Sequence, residues 1–596
     1  MKFILTLILF LNSAFAITNQ SNIDSNTTII SKDANQTDNN ITKIDYQKDI
    51  KRYFTSRDKI GINARKSTLR NYYKKEKYQL IWLKDEKLNP IYSDLITSAK
   101  NDKIISKKAK KDFNIDDIEK LIEIYKTDKL TKKQTLQLDF LLTNLYDNYI
   151  TCVAKGSINW KEFKTYLKDL YEEKDILANW EKYGAKVNKQ KLLKETIQED
   201  DFHTSLNKID LKYPNSNKLY EKIAQYEEIE KNGGYVKVPT VRRSLKVGMH
   251  SKIVPILKQR LIQSHDLVVE DTNTTVQNTS EDTNATIVKK DNTIYTKEIA
   301  NAIKSFQKNN GLAVDGICGR DTIRHLNITV KQRINKIKVN LERMRWMRRD
   351  LGKEYLLVNI PDYYLRYYKN NKEILKLSVV VGTKTHPTPI FSHKLSTVVL
   401  NPYWRVPKRI VQREIIPKLV KDPTYLNSKD MDIHEDWSIK SEIFNPVDIN
   451  WSMYAQDEEQ KENNIYPDVP YRFIQIPGKK NPLGKMKFMF HNRYMVYLHD
   501  TSAKYYFKKR KRAYSHGCIR LHNPRKLLKT IANDDTKLDY KEAQEILEDI
   551  EQTEISLKKR IPIHIVYLTA WVDNNDQIQF RDDIYGYDKI QKKILY

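Results

Sequence analysis

Two short stretches hold residue types that together support nucleophilic catalysis by a thiol. Cys518 lies in Ser515-His516-Gly517-Cys518-Ile519-Arg520-Leu521, and His499 stands nineteen positions upstream, directly after the apolar, β-prone run Met495-Val496-Tyr497-Leu498. Such catalysis needs a cysteine, a histidine that can take its proton, and backbone N–H groups that stabilise an oxyanion. Gly517 permits a tight turn that brings backbone amides close to the sulfur. We therefore predict that Cys518 is a nucleophile and that the rest of the chain presents it with a substrate.

The first residues predict export. Residues 3–11 form an apolar run behind Lys2, and Ala14-Phe15-Ala16 follows as an A-x-A cleavage site, which together are typical of a secretory signal peptide over residues 1–16. The run is shorter than the roughly 20 residues that span a bilayer. No other stretch suggests a membrane span. We therefore expect an exported chain without an integral membrane segment, located in the periplasm of a Gram-negative-type envelope.

The chain has 105 Lys and Arg and 76 Asp and Glu, which gives a net charge of +29. This charge has two interpretations. One is a polyanionic partner. Export excludes nucleic acid, which leaves the carboxylate-rich cell wall or an acidic membrane face. The other is compositional, since Lys, Asn, Ile and Tyr are abundant throughout. We favour the second, on the ground that the positive charge is not gathered into one tract.

Three cysteines, Cys152, Cys318 and Cys518, form neither a disulfide framework nor a C-x-x-C metal site. An odd number leaves at least one thiol free, and Cys518 is the natural candidate. Cys152 and Cys318 are interpreted as structural, either buried singly or paired with each other. We predict no metal and no cofactor.

The chain is too long for one core, at 596 residues, and its composition changes several times along its length. We predict a multi-domain α+β fold in which a mostly β domain follows helical regions. The predicted divisions are a signal peptide (1–16), a disordered leader (17–43), a helical scaffold (44–236), a three-helix module (237–328) with a disordered insertion (269–292), a linker helix (329–352), a mostly β domain (353–574) with an inserted lid (408–465), and a C-terminal extension (575–596).

Periodicity supports the helical assignments. One amphipathic face is predicted from the near-heptad spacing of Leu136, Phe140, Leu141, Leu145 and Tyr149. The Lys/Glu-rich segment from Trp160 to Gln198 is typical of exposed helices with solvated faces. Nothing in the scaffold region clusters into a catalytic set.

From residue 355 the pattern changes to β. Strands are predicted at Tyr355–Ile360, Tyr364–Tyr368, Leu375–Val381, Ser396–Leu400, Lys485–Phe490 and Tyr494–Leu498. The charged segment 408–465 interrupts them and is predicted to be helical or irregular. It is either a lid that excludes water from the site or an ordinary surface excursion.

A repeated pattern raises the possibility of glycosylation. Asp-x-Asn-x-Ser/Thr, which resembles the extended acceptor of some bacterial N-glycosylation systems, predicts acceptors at Asn26, Asn35, Asn40, Asn273 and Asn284. The alternative is that low-complexity Asn/Thr/Asp sequence produces such matches by chance.

The three-helix module resembles the small peptidoglycan-binding module. The resemblance is carried by Phe306-Gln307, Gly311-Leu312, Asp315-Gly316, Gly319 and Thr322. Cys318 occupies a variable position of the Asp315–Gly319 turn.

Residues 353–588 resemble a YkuD-type L,D-transpeptidase catalytic domain, and the whole chain resembles the large multi-domain branch of that family. Besides the Cys518 and His499 stretches, the resemblance is carried by Val339–Arg343, Val358–Pro361, Thr388-Pro389, Asn401-Pro402-x-Trp404-x-Val406-Pro407, Gln475-x-Pro477-Gly478, Asn481–Gly484 and Phe580–Gly586. It implies an enzyme that attacks a tetrapeptide stem of peptidoglycan, releases D-Ala and passes the resulting thioester to an acceptor amine, which makes a 3→3 crosslink.

The resemblance also implies roles for single residues. Cys518 is the nucleophile, His499 is the base, and the backbone carbonyl of Asp500 orients that base. Backbone N–H groups around His516, Gly517 and Cys518 form the oxyanion hole. The His516 side chain either lines the loop or carries a second proton, and we favour lining.

The remaining residues are interpreted as substrate-binding. Arg520 attracts a stem carboxylate or lowers the pKa of Cys518, with a hydrogen-bonding role in the loop as the alternative. Tyr497 and Trp404 line the groove or belong to the core, and Ser515 is placed with the substrate-binding set.

Three other functions compete with transfer. Water could resolve the same thioester, which would make the protein an L,D-carboxypeptidase. His499, His516 and Cys518 could instead bind zinc in a hydrolase, but no H-x-E or H-E-x-x-H base lies nearby. A wall-binding structural protein with a dead site is the third, and the intact Cys, His and Gly positions argue against it.

Overall fold

The computed structural model describes residues 45–56, 64–211, 213–268 and 292–596. The predicted signal peptide, the leader to residue 43, the insertion apart from its last residue, and the five predicted glycosylation sites lie outside these ranges. Residues from Gln47 to Tyr596 form one unit. The predicted fold class is confirmed, because helical regions precede a domain built on a large sheet.

The helical scaffold is organised around one long helix, Lys132–Lys155, which begins with a capping box between Thr131 and Gln134. All five residues of its predicted apolar face are buried, so that prediction is confirmed. The helices of this region are Gln47–Thr55, Lys66–Lys75, Tyr92–Asn101, Lys107–Lys110, Ile115–Thr127, Lys132–Lys155, Trp160–Lys174, Lys189–Glu199, Phe202–Asn207 and Ser216–Lys231, with a small hairpin of Leu83–Lys84 and Lys87–Leu88.

The prediction of exposed helices from Trp160 to Gln198 is wrong in its middle part. Helix Trp160–Lys174 ends at Asp175, and the chain runs without helix to residue 188. There Trp180 forms a parallel bridge with Ile390 of the sheet domain and packs against Trp346, Tyr567 and Tyr587. Burial of this indole outweighs the helical tendency of its charged neighbours, so scaffold and sheet domain share one core.

The three-helix module contains the helices Val254–Gln263, Lys297–Asn309 and Arg320–Leu326. Gln307 connects the second helix to the following turn, since its side chain donates to Asp315 at 2.8 Å and accepts from the Gly316 N–H at 2.9 Å. Cys318 lies inside the core of the module. Helix Val330–Met344 then leads into the sheet domain.

The C-terminal extension predicted for residues 575–596 is an integral part of the sheet domain. Its helix, Tyr587–Leu595, places Tyr587 and Leu595 in the main core. Asp588 forms a buried ion pair with Arg343 of the connecting helix at 2.7 Å. Two short strands, Ala570–Val572 and Ile578–Phe580, pair antiparallel before it.

A nine-stranded sheet forms the centre of the sheet domain. Its strands lie in the order Ala513–Ser515, Lys372–Gly382, Ile519–Leu521, Leu498–His499, Met486–Met489, Phe391–Leu400, Thr553–Val566, Glu354–Asn359 and Tyr364–Lys369. The last of these also pairs with Lys372–Gly382, so the sheet closes on itself. Helices Pro524–Ala532 and Tyr540–Ile546 pack against it.

Five of the six predicted strands are present, and the sixth, Tyr494–Leu498, is wrong. Only Leu498–His499 is a strand there. Met495 has a positive φ of 53°, and the Asn492 side chain accepts from the backbone N–H groups of Tyr494 and Val496. These local bonds make a turn in place of the first part of the strand.

The segment 408–465, predicted as helical or irregular, also contains strands. Met431–His434 and Ile443–Phe444 join Trp404–Arg405 and Arg472–Gln475 in a four-stranded sheet with its own core. Its helical parts are Lys408–Ile410, a π-helical turn Val411–Ile415, Ile416–Leu419, Glu458–Glu462 and the 3₁₀ turns Pro423–Lys429, Pro446–Asp448 and Trp451–Tyr454. We call residues 408–465 the lid. None of the described helices has the length and apolar character needed to cross a membrane.

Candidate active site

Strand register places His499 opposite Arg520, with Cys518 directly before the second strand. Strand Leu498–His499 pairs in parallel with Ile519–Leu521, so that Leu498 lies opposite Ile519 and His499 opposite Arg520. Opposite residues of a pair share a face and successive residues alternate. Leu498 and Ile519 point into the core. His499 and Arg520 therefore lie together on the other face. Tyr497 and Cys518 directly precede the two strands, where the Ile519 N–H donates to the Tyr497 carbonyl at 3.1 Å.

A hydrogen bond fixes the His499 ring. Its Nδ1–H donates to the backbone carbonyl of Asp500 at 2.5 Å, which leaves Nε2 as the proton acceptor. Burial, followed by the nearby charge of Arg520, lowers the pKa of His499 to about 3. The imidazole is therefore neutral at pH 7 and able to accept a proton.

The Asp500 side chain binds Lys485 and Lys504. One carboxylate oxygen accepts from the Lys485 N–H at 3.0 Å, and the other pairs with Lys504. Gly484, at φ +61°, lies against this carboxylate, and a Cβ there would stand 2.4 Å from it. The carboxylate thus fixes the turn before the His499 strand, while the backbone carbonyl of Asp500 holds the imidazole.

Cys518 is partly exposed, and its Sγ–H faces the Met495 carbonyl at 3.9 Å. Burial raises the pKa of this thiol, although hydrogen bonding from Tyr497 and the charges of Arg520 and Lys487 oppose the rise. Arg520 therefore acts in the predicted direction but does not outweigh burial. The resting thiol and the resting imidazole are both neutral, so a thiolate forms only if the thiol proton is removed during attack.

Lys487 is a residue that the sequence analysis missed. It lies directly opposite His499 on the neighbouring strand, and its ammonium group stands 5.1 Å from the centre of the Tyr497 ring. Arg520 lies opposite His499 on the strand at the other side, so a cation stands on each side of His499 across three adjacent strands. The Arg520 Nε is buried and has no hydrogen-bond partner among the described residues.

The loop before Cys518 is held by a network of hydrogen bonds. Ser515 Oγ donates to the Cys518 carbonyl at 2.5 Å and accepts from the Gly517 N–H at 3.3 Å. Thr388 Oγ1 donates to the Gly517 carbonyl at 2.8 Å, and Gly517 has a φ of +112°. Within the described ranges no acceptor is recorded for the N–H of Cys518 or of His516, which leaves both amides free to donate to an oxyanion.

His516 turns away from the sulfur and toward the lid. Its Nε2 lies 2.6 Å from Glu414 Oε1, and its ring lies 4.8 Å from that of His386. The bond to His516 lowers the pKa of Glu414. Glu414 belongs to the π-helical turn Val411–Ile415, a geometry found frequently at functional sites. Sequence reasoning missed this contact because 102 positions separate the two residues.

The same turn of the lid is fixed to the scaffold. Arg409 donates to the Asp175 carboxylate at 2.6 Å, and Arg413 forms an ion pair with the same carboxylate. Asp175 ends helix Trp160–Lys174 in a left-handed conformation. One acidic side chain of the scaffold thus holds two arginines of the lid.

Trp404 and the two other cysteines were also considered for the site. Trp404 packs against the core of the lid, and its role in lining the groove stays a prediction. Cys152 and Cys318 are free, and burial raises the pKa of each thiol to about 12. In the part of the chain that the structure describes, no three His, Cys, Asp or Glu side chains converge as a metal site.

Comparison with known proteins gives three family matches. Residues 353–541 match the L,D-transpeptidase catalytic domain, residues 67–222 match a scaffold domain, and residues 284–326 match the "Putative peptidoglycan binding domain". A "Putative L,D-transpeptidase" of Haemophilus influenzae is 31% identical over 234 residues. That match covers 39% of this chain and 44%, less than half, of the relative.

Solved structures of L,D-transpeptidases are also similar. The enzyme from Stackebrandtia nassauensis is 13% identical, with 55% of this chain and 96% of that chain covered, at a TM-score of 0.20. The enzyme from Mycobacterium smegmatis is 11% identical, with 36% and 58% covered, at a TM-score of 0.16.

Proposed function

The chain combines an L,D-transpeptidase catalytic domain with a scaffold domain and a peptidoglycan-binding domain, and from this we propose that it is a peptidoglycan L,D-transpeptidase of the periplasm. We further propose that it makes 3→3 crosslinks through a thioester on Cys518. The observation that supports the proposal is the pairing of His499 with Arg520 on adjacent strands, with Cys518 directly before the second strand and Nε2 of His499 available as a base.

The chemistry proceeds in two halves. Cys518 attacks the carbonyl that joins the third residue of a tetrapeptide stem to D-Ala, and His499 Nε2 takes the thiol proton. The Cys518 N–H stabilises the oxyanion. His499 then returns the proton to the leaving amine of D-Ala, and a thioester remains. In the second half an acceptor amine loses a proton to His499 and attacks the thioester, and the sulfur leaves and is protonated again.

Arg520 is proposed to orient the donor stem. Its Nε is buried and has no hydrogen-bond partner in the part of the chain that the structure describes, and a guanidinium in that state is suited to a carboxylate of the substrate. Lys487 adds a second positive charge on the other side of His499. Both cations also favour the thiolate that forms as the proton leaves.

Muropeptide analysis after incubation of the purified protein with sacculi tests the proposal. We expect 3→3 dimers together with free D-Ala. Trimmed tripeptides without dimers would assign the protein as an L,D-carboxypeptidase, which resolves the same thioester with water. Neither product would indicate a structural wall-binding protein.

The lid is proposed to exclude water when the acceptor amine competes for the thioester. The contact between His516 and Glu414 joins the lid to the loop of the nucleophile. Glu414→Gln removes the charge but retains the shape. Because both side chains are substantially exposed, we expect about a twofold to fivefold rise in KM with little change in kcat.

The matched control is Glu459→Gln, an exposed carboxylate in helix Glu458–Glu462 of the same lid. Steady-state release of D-Ala from a soluble tetrapeptide substrate measures both variants. Equal kinetic constants for the two variants would show that the His516 contact does not hold the lid over the site.

A further inference from the structure

A large cavity lies between the three-helix module and the sheet domain, and its lining contains neither Cys518 nor His499. Its volume is about 960 Å³. The module contributes residues at positions 308 and 311–314 to its lining, and the sheet domain contributes residues within 355–376, 507–512 and 571–584. Tyr213 and Pro214 of the scaffold complete the lining. This volume is within the range of sites that bind small ligands and short peptides.

A run of basic residues lines the cavity. Lys508-Lys509-Arg510-Lys511-Arg512 lies in the spacer between His499 and Cys518, and all five residues reach the cavity. Lys308 of the module and Lys376 of the sheet join them. The expectation that positive charge is not gathered into one tract is therefore wrong, because this run is continuous and the fold adds cations from other segments.

Only some of these cations have acidic partners. Arg366 and Arg581 share Asp362, and Arg510 pairs with Asp321 at 3.1 Å. Among the described residues no ion pair to a carboxylate is formed by Lys308, Lys376, Lys508, Lys509, Lys511 or Arg512.

The uncompensated charges also lie close together. Lys376 stands 4.4 Å and Arg512 5.2 Å from the centre of the same Tyr364 ring. The lining as a whole holds nine Lys and Arg and four Asp and Glu, so the cavity is a region of positive potential that favours an anionic ligand.

We propose that this cavity binds the carboxylates of a peptidoglycan stem peptide that is not itself being cleaved. The inference rests on the proposed function, since it takes the polymer on which the protein acts as the ligand. A stem peptide carries several carboxylates along a short chain. A concave site of this size fits such a peptide better than it fits a membrane surface, which needs a convex or flat contact.

The cavity lies between the peptidoglycan-binding domain and the segment that leads to Cys518. One wall belongs to the peptidoglycan-binding domain, and the basic run continues directly into Ala513–Ser515 and the Cys518 loop. A stem held here would tether the polymer beside the catalytic centre and raise the local concentration of its neighbours.

Binding to purified sacculi tests the proposal with the full-length mature protein. All variants carry Cys518→Ala, so the result does not depend on whether the wild type catalyses transfer. The cavity variant adds Lys376→Gln, Lys508→Gln and Lys511→Gln, three exposed lysines. The matched control adds Lys161→Gln, Lys164→Gln and Lys194→Gln on exposed faces of scaffold helices, with the same change in net charge.

Co-sedimentation is measured on native sacculi, on sacculi whose carboxyl groups have been amidated, and on anionic phospholipid vesicles. We expect the cavity variant to bind native sacculi about tenfold more weakly than its parent. The control variant should bind like the parent, and amidation should remove the difference. Equal binding of cavity variant and parent to native sacculi would overturn the proposal. So would undiminished binding to amidated sacculi, or a loss confined to vesicles.

Discussion

Replacing Cys518 with alanine is expected to reduce release of D-Ala from tetrapeptide stems by a factor of about 10⁴ or more. Without the sulfur no thioester can form, and neither half of the reaction has a starting point. Mass spectrometry of the substrate follows the release of D-Ala, and the intact mass of the protein follows the acyl adduct. Both signals should be lost in the variant.

Cys152→Ala provides the matched control, because it removes a buried free thiol from helix Lys132–Lys155. Cys152 and Cys318 are buried, whereas Cys518 is partly exposed, and burial raises the pKa of the two buried thiols to about 12. Both are therefore protonated at neutral pH and out of reach of alkylating agents. The native protein should therefore take up one iodoacetamide label, at Cys518. Equal release of D-Ala by wild type and Cys518→Ala would disprove the assignment of the nucleophile.

His499→Gln is the second substitution with a large expected effect, a loss of about 10²- to 10⁴-fold in kcat/KM. Glutamine keeps much of the volume and a polar group but cannot take the thiol proton. Asp500→Asn should cost far less, since the His499 ring is held by the Asp500 backbone carbonyl, which the substitution leaves in place. A comparable loss in both variants would assign a direct role to the carboxylate.

The pH dependence of kcat/KM gives a separate test of His499. Burial lowers its pKa to about 3, so the folded enzyme keeps a neutral base as pH falls through 6.5. Protonation, and with it loss of the base, belongs to a much lower pH. We therefore expect the acid limb of the profile to lie well below 6.5 under conditions where circular dichroism shows an intact fold. A midpoint at 6.5 would contradict this environment for His499.

Local sequence determines much of this protein. The Cys518 stretch identified the nucleophile candidate, and periodicity identified the face of helix Lys132–Lys155 and most strands of the sheet. These features depend on neighbours within a few positions, where propensity and alternation are informative. The turn at Asn492–Val496 shows that prediction from local sequence also fails at short range. There the Asn492 side chain accepts two backbone hydrogen bonds, and a turn forms where β propensity favoured a strand.

Features that depend on distant pairing could not be predicted. Lys487 became a neighbour of His499 through an antiparallel register, and Glu414 met His516 through a turn of the lid. Trp180 lies in a charged segment whose composition favours an exposed helix, yet it completes a core made by the sheet domain. The periodicity of a segment carries no information about which distant segment that segment packs against.

The contact of Arg409 and Arg413 with Asp175 bears on where the smallest fragment that keeps the sheet domain intact begins. The two arginines flank the turn that carries Glu414, and their carboxylate partner lies far upstream of residue 353. An excised fragment that starts at residue 353 would keep Cys518 and His499. It would lose Asp175, which binds two arginines of the lid, and Trp180, which packs in the core of the sheet domain. The boundary of the family match at residue 353 therefore does not coincide with the boundary of the packed unit, which includes scaffold residues.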